Sequence, residues 1–433
     1  MARRAFSRRR LVKGAAAGAA SLSMIRSLSP ALGTLGANER IVTGHIGVGG
    51  QGTAHLHGLA RMKDIRVGAV CDVDPGRLNN AVKVAGSSPQ TFKDFRKLLE
   101  MKEVDAVFVV TPGHWHVIPA IQACAAGKDV FVEKPIGRTV AEGRALARAA
   151  KKYNRVTQNG TQQRSTPLWI NAVQRIKDGE LGKVNMIHVW NVWNPREMFG
   201  DLGNPPDSDP PPGVDYDMWL GPAPKRPFNP LRWHGSHYFF WDYGGGMMSE
   251  WGIHLFDVVT WTMGPEMRSV AAVGGKHVFK DARETPDTAS AVFECPGYTM
   301  VYSMRHGNGW QPHGQMDHGI EFFGTEATLQ INRNGFQMFH DGDRATRKPY
   351  YSEKGDTVLV EHERNFFDCM RTRRRTNADA ETGHLGAVLG HLANISYRVG
   401  RRVRWDAKTE TILDDPEANK LLEFHPRDPW RLE

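Results

Sequence analysis

Three scarcities frame this 433-residue chain. It has four cysteines, Cys71, Cys124, Cys295 and Cys369, and no Cys-x-x-Cys pair, which excludes the usual cysteine-based zinc or redox spacings. Each falls in an apolar strand or helix pattern, where a buried thiol is expected. No segment is apolar for long enough to span a bilayer. Acidic residues are missing altogether before Glu39, while Arg3, Arg4, Arg8, Arg9, Arg10, Lys13 and Arg26 supply seven of the nine excess positive charges. The rest of the chain therefore carries an excess of only two. That near-neutral body gives little support to nucleic-acid binding, and the run Arg371 to Arg375 reads as a solvated helix end.

The basic start has its own pattern. Ser7-Arg8-Arg9-Arg10-Leu11-Val12-Lys13, a weakly apolar stretch from Gly14 to Leu22 and small residues from Ala31 to Ala37 read as a twin-arginine export signal over 1–37. The expected location is periplasmic or secreted, with no stable membrane span after export. That route carries folded protein, which suits a chain without disulfides and a cofactor loaded before export.

About 395 residues then remain, enough for two domains of ordinary size. From Arg40 to Gly160, short β-rich runs alternate with amphipathic helices, the pattern of a doubly wound parallel sheet and an α/β fold. Residues 38–160 are read as a dinucleotide-binding Rossmann domain and 161–433 as an α+β substrate domain with a large, mostly antiparallel sheet. Its strands are expected at Val184 to Trp193, Ser269 to Val273, Ala289 to Cys295, Thr299 to Arg305, Ile320 to Gly324, Thr328 to Asn332 and Phe336 to His340. An insertion over 194–243 holds ten of the chain's 25 prolines.

The first strand runs into Ile46-Gly47-Val48-Gly49-Gly50-Gln51-Gly52, and Asp72 follows Gly52 by twenty residues at the end of the second. Gly47 permits the tight turn, Gly49 lets the backbone approach a pyrophosphate, and Gly52 lets the helix pack on the strand, with Gly50 and Gln51 opening that helix. Asp72 would accept from an adenosine ribose hydroxyl and repel a 2'-phosphate, so the expected cofactor is NAD rather than NADP. Ligands of such sheets bind beyond the carboxyl ends of the strands. Thr111-Pro112-Gly113-His114-Trp115-His116 and Glu133-Lys134-Pro135 stand there and are expected to border the nicotinamide. His114 and His116 alone fall short of a metal-ligand set.

In the second half, Gly244-Gly245-Gly246 precedes a helix expected over Met247 to Met263, on which Glu250, His254 and Asp257 fall on one face. A carboxylate, an imidazole and a second carboxylate in a row make an acid/base ladder. The glycines are read as allowing close approach of a ligand. Trp190, Trp193, Arg232, Trp233, His234, Tyr238 and Trp241 crowd the approach to this helix and offer aromatic faces for a sugar ring. Of these, Trp193, Arg232 and His234, with Arg164 and Asp257, are the expected substrate contacts.

Taken together, the glycine loop 47–52, Thr111-Pro112 with His116, Glu133-Lys134-Pro135 and the segment from Gly244 to His254 resemble the glucose-fructose oxidoreductase, inositol dehydrogenase and MocA (Gfo/Idh/MocA) family. The resemblance implies an NAD-dependent oxidoreductase of sugars or polyols, with Lys134, Glu250 and His254 as the catalytic set and a homo-oligomer, dimer or tetramer, as the assembly. Glu250 stands where the family has Asp, and Gly113 where it has Asn. The insertion, with Tyr216-Asp217-Met218-Trp219-Leu220-Gly221-Pro222, resembles a secreted bacterial branch. Because free NAD is scarce outside the cytoplasm, the cofactor is expected to stay bound. Two alternatives remain open: net glycoside hydrolysis through transient oxidation and elimination, and a noncatalytic dinucleotide-binding sensor.

Overall fold

The computed structural model describes residues 40–192, 200–311, 316–342 and 348–432. The expected export signal and Trp193 lie outside them.

The first half is a six-stranded parallel sheet in the order β3-β2-β1-β4-β5-β6. Its strands are β1 (Ile41–Ile46), β2 (Ile65–Cys71), β3 (Gln90–Phe92), β4 (Ala106–Val109), β5 (Asp129–Val132) and β6 (Thr157–Asn159). The helices between them are α1 (Gly50–Leu59), α2 (Pro75–Ala85), α3 (Phe95–Leu99), α4 (Val117–Ala125) and α5 (Val140–Lys152). Strands β4 and β5 are buried throughout, as a sheet covered on both faces requires. The helix starts are written locally. Asp74 accepts from the amides of Gly76 and Arg77 to cap α2, with Pro75 in its first turn, and Thr139 caps α5 through the Glu142 amide.

After α6 (Pro167–Lys177) come β7 (Val184–Val192), the insertion with its short α7 (Tyr216–Leu220), and the paired helices α8 (Gly246–Glu250) and α9 (Gly252–Met263). Strands β8 (Ser269–Gly275), β9 (Thr288–Cys295), β10 (Tyr298–Arg305), β11 (His318–Gly324), β12 (Ala327–Asn332), β13 (Gly335–His340) and β14 (Tyr351–Lys354) follow. Two long helices, α10 (Val360–Thr372) and α11 (Ala380–Val399), then lead to β15 (Val403–Asp406), β16 (Thr411–Ile412) and α12 (Pro416–Lys420). The second sheet has ten strands in the order β14-β13-β12-β11-β7-β10-β9-β8-β15-β16. All its pairings are antiparallel except β7 with β10.

One face of this sheet is sealed by α9 and α11, where Phe256 packs edge-on against Phe293 and the fully buried Leu392 joins the same cluster. A fully buried side chain of this size contributes about 1.5–3 kcal/mol. The opposite face leaves Val273 and Val292 exposed.

The two cores are not separated at residue 160. Phe366 and Phe367 of α10 are fully buried among Val48 of the glycine turn and Phe108 and Phe131 of the first sheet, with the Phe108 and Phe366 rings 5.8 Å apart. All four cysteines are free and buried. No helix among the described residues is long and apolar enough to cross a membrane.

Candidate active site

The glycine turn at the end of β1 is built as its spacing predicts. Gly47 has φ +84°, and a Cβ there would lie 2.6 Å from the Val110 carbonyl oxygen. A Cβ on Gly52 would lie 2.3 Å from the Gly47 carbonyl oxygen, so α1 can seat on the strand only without one. Beside Gly50 the space is open, and no side chain caps the amides at the head of α1. Asp72 is buried and accepts from the amides of Val48 (2.9 Å) and Asp74 (3.0 Å); burial raises its pKa. Thr111, at the end of the neighbouring strand, has a buried hydroxyl without a partner. A fixed carboxylate, an open helix head and an unpartnered hydroxyl along one cleft are what a dinucleotide requires, so these residues fit NAD.

Arg77 is a cofactor-site residue that sequence patterning did not reveal. Its guanidinium lies where a Cβ on Gly49 would come within 2.5 Å, and it lines the same cleft as Asp72. Its signal was faint: one arginine in the first turn of α2.

The loops after β4 and β5 meet as expected, but their histidines work inside the protein. The His116 ring bridges the carbonyls of Pro135 (2.6 Å) and Thr111 (2.8 Å), tying the two loops together. His114 donates from Nε2 to the Trp219 carbonyl (2.9 Å), and its burial lowers the pKa to about 3, so the ring is neutral. Trp115 Nε1 donates to the same carbonyl. Both histidines therefore position the cleft rather than opening onto a nicotinamide. Glu133 likewise turns inward. His55 donates from Nε2 to Glu133 (3.1 Å) and from Nδ1 to Glu363 of α10 (2.7 Å), all three groups being buried. Burial alone would lower the His55 pKa, but the two carboxylates carry it up to about 9; burial would raise Glu133, but His55 and Lys134 hold it down to about 2. Gln51 reaches Glu133 at 3.4 Å.

Lys134 is directed at the paired helices α8 and α9 of the second half. Its ammonium donates to the backbone carbonyl of Glu250 at 3.1 Å. The expected continuous helix here is broken at Trp251 into α8 and α9, with Gly252 at the break. Glu250 therefore ends one helix while His254 and Asp257 belong to the next, and the three do not form one ladder. Burial pushes the Glu250 carboxyl up to about 7 against the opposing pull of Lys134 and the Gly245 amide. His254 is buried, its Nδ1 has no partner, and its pKa is held well below the ordinary value by burial and by the charges of Arg333, Lys134 and His318. It is a neutral imidazole among cations.

Asp257 faces away from this group. It is fully buried and takes both oxygens to Arg164 Nε (2.9 and 2.8 Å), so the two expected substrate contacts satisfy each other and pin the chain after β6 to α9. The triple glycine also serves the protein itself: Cβ atoms would lie 2.8 Å from a Glu250 oxygen at Gly244, inside the Ser249 and Asn394 side chains at Gly245, and 2.7 Å from Thr285 at Gly246. A Cβ on Gly113 would meet the Tyr243 carbonyl oxygen at 3.2 Å, close to Glu250.

The insertion departs most from expectation. Tyr216, Trp219, Phe228, Trp233 and Tyr243 pack on one another as its own core, and Arg232 binds Asp207 (2.8 Å) and the Pro227 carbonyl (2.9 Å). Trp190 is buried in β7. Gly221, φ +48°, faces Trp115 so closely that a Cβ would lie 2.0 Å from its ring. His234 donates from Nε2 to Asp74 at 3.1 Å, Lys93 to the Gly213 carbonyl at 3.3 Å, and the Asp215 amide to the Val73 carbonyl at 3.3 Å. Met218, Trp219, Trp233 and His234 thereby line the cleft that holds Gly47, Asp72 and Thr111. His234, an expected substrate contact, is thus tied to Asp74 beside the cleft that holds Asp72 and Arg77.

Comparisons with known proteins agree with this architecture. Residues 41–161 match the family model of the Gfo/Idh/MocA oxidoreductases described as an NAD-binding Rossmann fold, and 191–286 with 357–432 match that family's C-terminal alpha/beta domain. The chain is 24% identical over 366 residues to myo-inositol 2-dehydrogenase of Thermotoga maritima, covering 83% of this chain and 97% of that protein. A glycosyl hydrolase family 109 protein of Shewanella pealeana is 28% identical over 182 residues, 38% of this chain and 39% of that protein. Among solved structures, levoglucosan dehydrogenase in complex with NADH and levoglucosan superposes with a TM-score of 0.65 at 20% identity, covering 84% of this chain and 99% of the other.

Proposed function

The chain belongs to the Gfo/Idh/MocA oxidoreductase family, and on that premise we propose that it is an exported enzyme that interconverts a carbinol and a carbonyl on a sugar, glycoside or polyol, using a tightly held NAD. The observation that carries this reading is the meeting of Lys134 from the first half with Glu250, one turn before His254, in the second. When bound, NAD supplies the two-electron acceptor. The protein's residues manage the proton and the charge. Neutral His254, with its unpartnered Nδ1, can accept a hydroxyl proton. Glu250, titrating near 7, can take that proton onward. The Lys134 ammonium, fixed on the Glu250 carbonyl, stabilises the negative charge that grows on the carbinol oxygen.

Retention of the cofactor is supported by the insertion, whose Trp233 and His234 line the cleft that holds Gly47 and Asp72. Export is supported by the twin-arginine pattern of Ser7 to Lys13. The exposed Val273 and Val292 on the open sheet face support pairing of subunits there. The test is to purify the exported protein, look for co-purifying NAD by absorbance and mass, and screen polyhydroxy compounds for NADH formation. Substrate-dependent NADH that vanishes in Lys134→Ala and His254→Ala, with NAD still bound, supports the reading; full activity of both variants overturns it.

The partial match to a glycosyl hydrolase family 109 protein favours one second reading, net hydrolysis of a glycoside with the redox change undone within the cycle. It would show product without net NADH and solvent deuterium in the sugar.

A further inference from the structure

The turn joining β12 to β13 carries Arg333, whose guanidinium carbon lies 4.7 Å from the centre of the Trp251 ring. The same indole meets the His254 ring at 5.4 Å and the His318 ring at 4.6 Å. A single aromatic surface therefore gathers the proposed base, a second imidazole and a guanidinium. No motif or helix periodicity points to Arg333.

Its hydrogen bonding sets it apart. Nε and Nη2 of Arg333 are both buried and have no partner. Among the described residues no carboxylate forms an ion pair with it. Asp317, held by His318 Nδ1 at 2.7 Å, and Glu133, held by His55, act on it only through space. Two other buried guanidinium groups are matched by a carboxylate, Arg164 by Asp257 and Arg283 by Asp281. Burying a guanidinium without a counter-anion is costly, and a site retains one where a ligand completes it. The nearby Lys134 ammonium already holds the Glu250 carbonyl, which leaves Arg333 as the group there with a vacant fork.

Nε and Nη2 lie along one edge of the guanidinium plane and donate in parallel, the arrangement that receives both oxygens of one carboxylate. We propose that Arg333 is the specificity anchor of this site and that its substrate is a polyhydroxy acid, of the uronate or aldonate class, bound through its carboxylate to that edge. This deepens the oxidoreductase reading of the same site and rests on it. A carboxylate at Arg333 also offsets part of the positive field around His254, so binding of the acid itself would strengthen the base that acts on it.

The experiment is calorimetric titration of the NAD-loaded protein with glucuronate, galacturonate and gluconate, each beside its neutral counterpart glucose, galactose or glucitol, and with glucose 6-phosphate. At least one acid is expected to bind about tenfold or more tightly than its counterpart, and Arg333→Gln is expected to erase that difference while leaving the neutral affinity in place. The proposal is overturned if no acid is preferred, if glucose 6-phosphate outbinds every acid, or if the preference survives in Arg333→Gln. The comparison within the unmodified protein decides the matter even if the variant folds poorly. Acid preference without NADH formation from any compound would sink the oxidoreductase reading and leave the anchor standing; NADH from neutral polyols alone, with no acid preference, would do the reverse.

Discussion

Lys134 and Glu250 are joined by a 3.1 Å hydrogen bond from ammonium to main-chain carbonyl, a side chain of one half of the molecule gripping the backbone of the other. Lys134→Ala removes both the grip and the charge nearest the proposed carbinol. Turnover is expected to fall by about 10²–10⁴-fold, as it should for His254→Ala. The Gly47 turn and Asp72 are untouched, so both variants should still co-purify with NAD, which separates a catalytic defect from a folding one.

Glu250 gives a pH signature of defined sign. Its carboxyl is raised to about 7 in the folded protein, so the stability it contributes is present below the ordinary carboxylate range and is lost as pH rises through 7. Glu250→Gln should therefore match the parent at pH 4 and exceed it by about 1–3 kcal/mol at pH 8.5, measured by urea unfolding. Oxidation by the parent should quicken as pH rises through about 7, and the variant should lose that limb.

Asp72 and Arg77 share the adenosine end of the cleft with opposite charges. Removing the carboxylate with Asp72→Ser leaves the guanidinium to meet a phosphate. NADH should bind about 10–100-fold more weakly and NADPH more tightly than in the parent, read by titration of nicotinamide fluorescence.

The buried group Glu133, His55 and Glu363 predicts alkaline sensitivity. With its pKa raised to about 9, His55 contributes fully below its unfolded value of 6.5, and that contribution drains away as pH climbs through 9. His55→Leu should flatten this part of the stability profile and cost about 3 kcal/mol at pH 7, since Glu133 then stays buried without its cation. Denaturant midpoints at pH 6.5 and 9.5 check both.

His234 bridges the insertion to Asp74 as a neutral donor, its pKa lowered to about 4 by burial and by Arg77. His234→Ala should speed NAD release by about tenfold, followed as loss of bound cofactor on dilution, with little change in turnover while NAD is in excess.

What the sequence disclosed was what is local and periodic. The alternation from Ile41 to Asn159, the glycines at 47, 49 and 52, and strands such as Tyr298–Arg305, read one residue short as Thr299 to Arg305, were readable because their periods and turns are written within a few residues. Hidden were contacts between distant segments. Arg164 and Asp257 look like two ligand-facing groups until they are seen to bind each other across 93 positions. His114 looked like a cofactor neighbour because nothing near it names Trp219, its partner 105 residues on. The break at Trp251 had a local sign, Gly252, outweighed by the apolar pattern around it. Arg333 had none, being a single arginine in a hairpin turn.

The burial of Phe366 and Phe367 beneath the first sheet bears on the order of events during biosynthesis. A ribosome that has delivered residues up to Asn159 has released every strand of that sheet but not the aromatic plug that closes its underside, so a close-packed interior must wait for nearly the whole polypeptide. Closure of the nucleotide-binding half is then a post-translational step, completed in whichever compartment first contains residues 366 and 367.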